Sequence, residues 1–248
     1  MIELLSIDLS NYCSKQCEFC YNHSNKQGNT IWTPTEVISF ANDCINNGIK
    51  SISLGGGEPF EYEGIFDIID ALQPKVYLSI TTNGLPLETD AIWQLLSKHQ
   101  PDKIHVTIHQ PDDSAEVERV LNLLKRIGQT QIKPGVNLLV NKNKLQYCKV
   151  VYQKMRSILT PEQIILVPQR FKNTPSAKDL VIVSGKEAFQ SPSCLLQCKK
   201  PERFVSVSWD KKVNFCSYAS GKQDLKTLDY NGLEKALKLV SFKSCQLI

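Results

Sequence analysis

At 248 residues with 42% apolar side chains, the chain is long and apolar enough to bury a real core, which excludes a disordered protein. The net charge of +4 is small and gathers into no basic stripe or arginine-rich run, so no nucleic-acid partner is expected. No stretch nears the ~18 to 20 apolar residues that span a membrane. Met1–Leu5 also lacks the charged n-region and cleavage site of a signal peptide, so a cytoplasmic location without a membrane partner is expected.

In chain order, the first strand is expected at 3–9. Thr33 before Pro34, with Glu36 three residues on, forms a capping box that opens a helix over 34–48. Strands follow at 51–54, 75–80, 103–108, 135–140 and 163–167, separated by helical patterns near 63–72, 88–98, 113–127 and 144–158. Six strands alternating with five helices imply an α/β fold, with parallel pairing and right-handed crossovers. Periodicity leaves an open doubly wound sheet and a partial barrel equally admissible; both put functional loops at the C-terminal strand ends. From about residue 180 the pattern changes to a β-hairpin, 203–209 with 213–215, and a helix near 231–241. So short a segment rarely supports a core alone, and its cysteines point to a metal staple.

Nine cysteines are many for a reducing compartment, where clustered thiols indicate metal or redox chemistry. Cys44 and Cys148 sit in apolar periodic segments and read as small buried hydrophobes. Cys13, Cys17 and Cys20 directly follow the first strand. Three thiolates at this spacing fit one compact loop around a four-iron cubane and leave one iron open to a small molecule. The alternative is a zinc site completed by His23.

Further motifs stand at strand ends. Gly55-Gly56-Gly57-Glu58-Pro59 follows the second strand, where glycines permit close backbone approach. Thr81-Thr82-Asn83-Gly84 follows the third, and Asn83-Gly84 is also an ordinary turn dipeptide. In the fourth strand, alternation puts His105, Thr107 and His109 on one face. Asn137 lies in the fifth strand, and Gln169 and Arg170 end the sixth.

The cysteine triplet and the Gly-Gly-Glu-Pro segment, in this order and each just after a strand, closely resemble the signature of radical S-adenosylmethionine (SAM) enzymes. The resemblance implies a partial (β/α)6 TIM-type barrel over 1–180. Cys13, Cys17 and Cys20 would hold a 4Fe-4S cluster whose open iron chelates the methionine part of SAM. Phe19 would pack near the adenine, and Gly56, Gly57 and Glu58 would bind the methionine ammonium. Asn83, Thr107 and Asn137 are the further implied cofactor contacts. Reduction of the cluster, by a donor such as flavodoxin or ferredoxin, would cleave SAM to a 5′-deoxyadenosyl radical. Relatives often carry Ser-x-Asp in the fourth strand; here Thr107 and His109 replace it, so His109 becomes a candidate substrate acid or base, or simply a packed histidine. Arg170 either pairs with a carboxylate or caps the surface.

The hairpin bracketed by Cys198 and Cys216 resembles SPASM or twitch extensions, which carry auxiliary 4Fe-4S clusters. Cys194, Cys198, Cys216 and Cys245 are enough for the shorter twitch form with one second cluster, over 181–248; a structural zinc knuckle is the alternative. Such relatives divide between small-molecule enzymes and modifiers of ribosomal peptides. The leading expectation is a maturase that crosslinks, epimerises or excises part of a precursor peptide, a tyramine-excising splicease being one example. Because the chain opens at its first strand, a separate peptide-recognition protein is expected as partner. The runner-up is a small-molecule dehydrogenase or mutase, and a non-catalytic zinc-binding interaction protein is the remote alternative.

Overall fold

The computed structural model describes residues 2–191, 195–243 and 245. Six strands, β1 (Leu4–Asp8), β2 (Ser51–Gly55), β3 (Tyr77–Thr82), β4 (Lys103–Ile108), β5 (Lys133–Val140) and β6 (Ile164–Pro168), pair in parallel, each with its sequence neighbour. Between them run α1 (Pro34–Asn46), α2 (Ile65–Leu72), α3 (Asp90–Lys98), α4 (Ser114–Ile127) and α5 (Leu145–Arg156). The expected α/β alternation is thus observed, and the sheet does not close: β6 stands at its edge. A further helix, α6 (Ala177–Val183), was not expected; at seven residues it is too short for periodicity to reveal.

The strands alternate sharply. Ile7, Ile52, Leu54, Leu78, Ile80, Ile104, Val106, Val136, Leu138 and Leu166 are completely buried. On the opposite face the register aligns Ser6, Ser53 and Ser79, and sets Thr107 beside Asn137. A parallel sheet covered on both faces would read as continuous apolar runs; here the alternation marks one face for the core and one for a polar cavity.

α1 starts as expected, with Thr33 accepting from the Glu36 amide and Glu36 reaching back to the Thr33 amide. Cys44 and Cys148 are wholly buried on α1 and α5.

The C-terminal segment extends this same sheet. β7 (Phe204–Val207) pairs in parallel with β1, then β8 (Lys212–Asn214) and β9 (Gln223–Asp224) continue antiparallel. The expected hairpin is β7–β8 with its turn at Ser208–Lys211, and the expected helix is α7 (Tyr230–Leu239). The β7–β1 pairing links residues some 200 positions apart, beyond the reach of local pattern.

Candidate active site

The C-terminal ends of β1 to β6 surround a cavity of about 280 Å3, near the lower end of the range for ligand pockets. Cys13, Cys17 and Cys20 line it from the loop after β1, and Gly56, Gly57 and Glu58 from the end of β2. Asn83, Thr107, Asn137, His109 and Arg170 line it from the remaining strand ends, and Phe19 from the cysteine loop. Every residue picked out in the barrel for cofactor or catalysis therefore faces one cavity.

The cysteine loop is shaped by its own backbone. The Cys13 amide donates to Asn25 O, the Cys20 amide to Cys17 O and the His23 amide to Cys20 O. Gln16 and His23 adopt left-handed backbone at φ 51° each, so the loop bends tightly between Cys13 and Cys17 and again after Cys20. The loop is then pinned to the barrel: the Ser14 amide donates to Glu61, and Lys15 Nζ lies 2.8 Å from Glu116 on α4.

The glycines serve a purpose that the motif alone did not disclose. A Cβ on Gly57 would fall 1.8 Å from Tyr12 O, and one on Gly56, at φ +110°, 2.6 Å from Ser10 O. The Gly57 and Glu58 amides donate to Ser10 O and Tyr12 O. The β2 end is therefore zipped against the cysteine loop so closely that only glycine fits.

Glu58, 1% exposed, is the polar centre of this junction. It accepts from Thr82 Oγ1 (2.6 Å), the Asn83 amide (2.8 Å) and the Phe60 amide (3.1 Å). Burial pushes its carboxyl up to about 7, against the pull of those three donors. Asn83 Nδ2 in turn donates to Cys13 Sγ at 3.6 Å, so the third-strand turn touches both the acid and a thiol.

On the β4 side, burial chiefly drives the His105 pKa down to about 4, and its Nδ1 lies 3.0 Å from Asn137 Oδ1. Asn137 is thus partly engaged by a neighbour. His109 stacks on Phe19, with ring centroids 6.1 Å apart. Its Nδ1 is buried without a hydrogen bond, 3.7 Å from Glu116, and burial lowers its pKa. Burial alone would raise the Glu116 carboxyl, but hydrogen bonds from the His109 backbone amide and from Lys15 hold it down at about 2.

Sequence reading missed Lys15, Glu116, Asp8, Tyr21 and Tyr218. Asp8 carried a usable signal, being the one charge inside the apolar run from Leu4 to Leu9. Glu116 looked like any acid in a helix's first turn.

The donor set can be tested against an iron–sulfur cluster. Three thiols from one loop, all half-buried, line the cavity, and none is in a disulfide. Burial raises the Cys13 and Cys17 thiols, the latter to about 11, so a strong Lewis acid is needed to hold them as thiolates. Among the described residues no three His, Cys, Asp or Glu side chains close on a single-ion site. His23, the fourth ligand of the zinc alternative, is exposed and lines a neighbouring groove. Three thiols around a shared space, with glycine backbone and a buried acid beside them, fit a cluster with one open iron.

The Radical SAM superfamily model matches residues 7–144, more than half of the chain. The chain belongs to the radical SAM superfamily. It is therefore an enzyme of a family that uses a 4Fe-4S cluster and SAM. The GTP 3′,8-cyclase of Clostridium perfringens (strain SM101 / Type A) is 24% identical over 240 residues, covering 88% of this chain and 74% of its own. A probable GTP 3′,8-cyclase of Sulfurisphaera tokodaii is 33% identical over 113 residues, 45% of this chain and 36% of its own. Among solved structures, Streptococcus suis SuiB bound to S-adenosylmethionine superposes with TM-score 0.67 at 17% identity, over 90% of this chain and 63% of SuiB. Native anSMEcpe with bound AdoMet and Cp18Cys peptide gives TM-score 0.65 at 16% identity, over 97% and 84%. At these identities the two structures speak for the radical SAM fold; the chain spans about three-fifths of SuiB.

Cys198 and Cys216 are half-buried and Cys245 is buried; Cys194 lies outside the described residues. An isolated antiparallel bridge sets Ser220, in the segment after Cys216, beside Lys243. No described helix is long and apolar enough to cross a membrane.

Proposed function

We propose that Cys13, Cys17 and Cys20 hold the catalytic cluster, that SAM occupies the adjoining cavity, and that the substrate is a precursor peptide from which a hydrogen atom is taken. When bound, the cluster and SAM supply an electron and a 5′-deoxyadenosyl group for radical chemistry. The chain's residues supply the rest. Glu58, held by Thr82 and Asn83, offers a carboxylate to the cofactor's ammonium; Gly56 and Gly57 bring backbone close; Phe19, backed by His109, gives the adenine an aromatic wall. Thr107 and Asn137 line the wall on the β4–β5 side.

The observation that favours a peptide is the groove. An open cleft of about 720 Å3 adjoins the cavity and shares Cys17, Phe19, Cys20, His109 and Arg170 with it. An extended chain can lie along this cleft and dip one residue toward the cofactor. The SuiB and anSMEcpe structures with peptides bound lend this reading support. A second reading, a small-molecule substrate, is favoured by the GTP 3′,8-cyclases among the relatives.

In the same proposal, residues 1–180 form the SAM-binding barrel and 181–248 a twitch-like unit. Cys198, Cys216 and Cys245, with Cys194, carry a second 4Fe-4S cluster there. A flavodoxin or ferredoxin supplies electrons, and a separate protein presents the peptide. The test is 5′-deoxyadenosine formation by the reduced, reconstituted enzyme, with a peptide library carrying deuterated residues or with GTP. Deuterium appearing in 5′-deoxyadenosine from a peptide supports the reading. Turnover stimulated by GTP alone overturns it in favour of the small-molecule enzyme.

A further inference from the structure

Asp8 has no part in the chemistry above, yet it is the last residue of β1 and lines the cavity while only 2% exposed. A carboxylate has about four acceptor sites. Among the described residues one hydrogen bond reaches it, a long 3.4 Å contact from the Tyr21 hydroxyl. Glu58, the other buried acid of the cavity, takes three donors from the protein. Burial outweighs the pull of Lys222 and leaves the Asp8 carboxyl at about 6, so it is mostly ionised at neutral pH.

Beside Asp8 stands the Tyr21 ring, and Tyr218 packs against that ring. Tyr21 and Tyr218 pack with centroids 4.6 Å apart, and both line the same cavity. Tyr21 arrives from the cysteine loop and Tyr218 from the segment after β8, so this corner is assembled from three separate parts of the chain. A buried carboxylate short of donors is costly unless a guest completes it. Lys222 and Asp210 act on the acid with opposite signs, neither by a hydrogen bond among the described residues, and a neutral donor adds no charge to this balance. A protonated amine supplies a charge-assisted hydrogen bond to the acid and a cation–π contact to a ring.

We propose that Asp8, with the Tyr21–Tyr218 ring pair, forms a subsite that binds a protonated amine of the substrate. The inference rests on the reading of this cavity as the radical SAM site. For a peptide, the ammonium comes from a lysine side chain or from a free N-terminus, and the two share this chemistry.

The experiment uses the reconstituted holoenzyme with SAM, under anaerobic conditions, and ligand-observed NMR. The probes are Nα-acetyl-lysinamide, its neutral counterpart Nα-acetyl-norleucinamide, and alanyl-alaninamide as a free N-terminus. The wild type is expected to bind at least one amine probe tenfold or more tightly than the neutral one, and which amine binds identifies the source. Asp8→Asn is expected to lose that preference, and Tyr218→Leu to weaken it several-fold. Equal binding of amine and neutral probes, or an undiminished preference in Asp8→Asn, overturns the subsite. The change that SAM causes in the EPR spectrum of the reduced cluster is recorded in parallel. Its absence from the wild type sinks the radical SAM assignment of the cavity; its presence without an amine preference sinks the subsite alone. Retention of that change in Asp8→Asn shows that the variant is folded.

Discussion

Replacing Asp8 by asparagine keeps the side chain's shape, keeps an acceptor for Tyr21 and removes one buried charge. The Asp8 carboxyl rises from 3.8 to about 6, chiefly through burial. That is a little over two tenfold steps in proton affinity, and at about 1.4 kcal/mol per step it comes to about 3 kcal/mol. The sign follows from linkage. Between pH 4 and 6 the folded chain binds more protons at Asp8 than the unfolded chain, so this group's contribution to stability falls as pH rises and its full cost is present above pH 6. Asp8→Asn should therefore stabilise the cluster-free, reduced protein by up to about 3 kcal/mol at pH 8, with the gain shrinking toward zero near pH 4. Urea unfolding of both proteins at pH 4.5, 6 and 8 measures it. A variant less stable than wild type at pH 8, or a gain that does not depend on pH, would refute the reasoning. A variant that is both more stable and deaf to amines would be a functional site held at a cost to the fold.

Other expectations follow from the same geometry. Gly57→Ala drives a methyl into Tyr12 O and should abolish cluster incorporation, read as iron per chain; Gly128→Ala, at φ −61° with its nearest neighbour 3.4 Å from the new carbon, should keep its iron. Lys15→Met leaves the buried Glu116 carboxylate without its cationic partner, and a loss on the order of 2 to 4 kcal/mol at pH 7 is expected. Because the Glu116 pKa is depressed to about 2, its contribution is present above about pH 4.5 and fades as pH falls through 2, so the difference from wild type should narrow in acid unfolding. Thr33→Ala removes the acceptor of the α1 capping box and should cost about 1 kcal/mol in urea unfolding.

The barrel was legible because its physics is local. Alternation in Ile104-His105-Val106-Thr107-Ile108 sorts core from cavity within five residues, and Thr33-Pro34-Glu36 writes a helix start in three. The cysteine triplet and Gly56-Gly57-Glu58 were legible for the same reason: each is one short loop with one task. What escaped depends on distance in the chain. Lys15 meets Glu116 across 101 positions, and Tyr21 meets Tyr218 across nearly 200. Neither β7's docking on β1 nor the two-residue β9 leaves a periodic trace. Glycines at a strand end suggest room for a ligand, whereas Gly56 and Gly57 first make room for the chain's own loop.

The central claim, that Cys13, Cys17 and Cys20 hold the SAM-binding cluster, is tested most directly by iron and sulfide per chain after anaerobic reconstitution. Wild type is compared with the triple variant Cys13→Ala, Cys17→Ala, Cys20→Ala. The account predicts about eight irons in the wild type and about four in the variant, the remainder lying at the C-terminal cysteines, with SAM leaving the variant's EPR spectrum unchanged. A variant that keeps all the wild-type iron, or whose reduced cluster still responds to SAM, would contradict it.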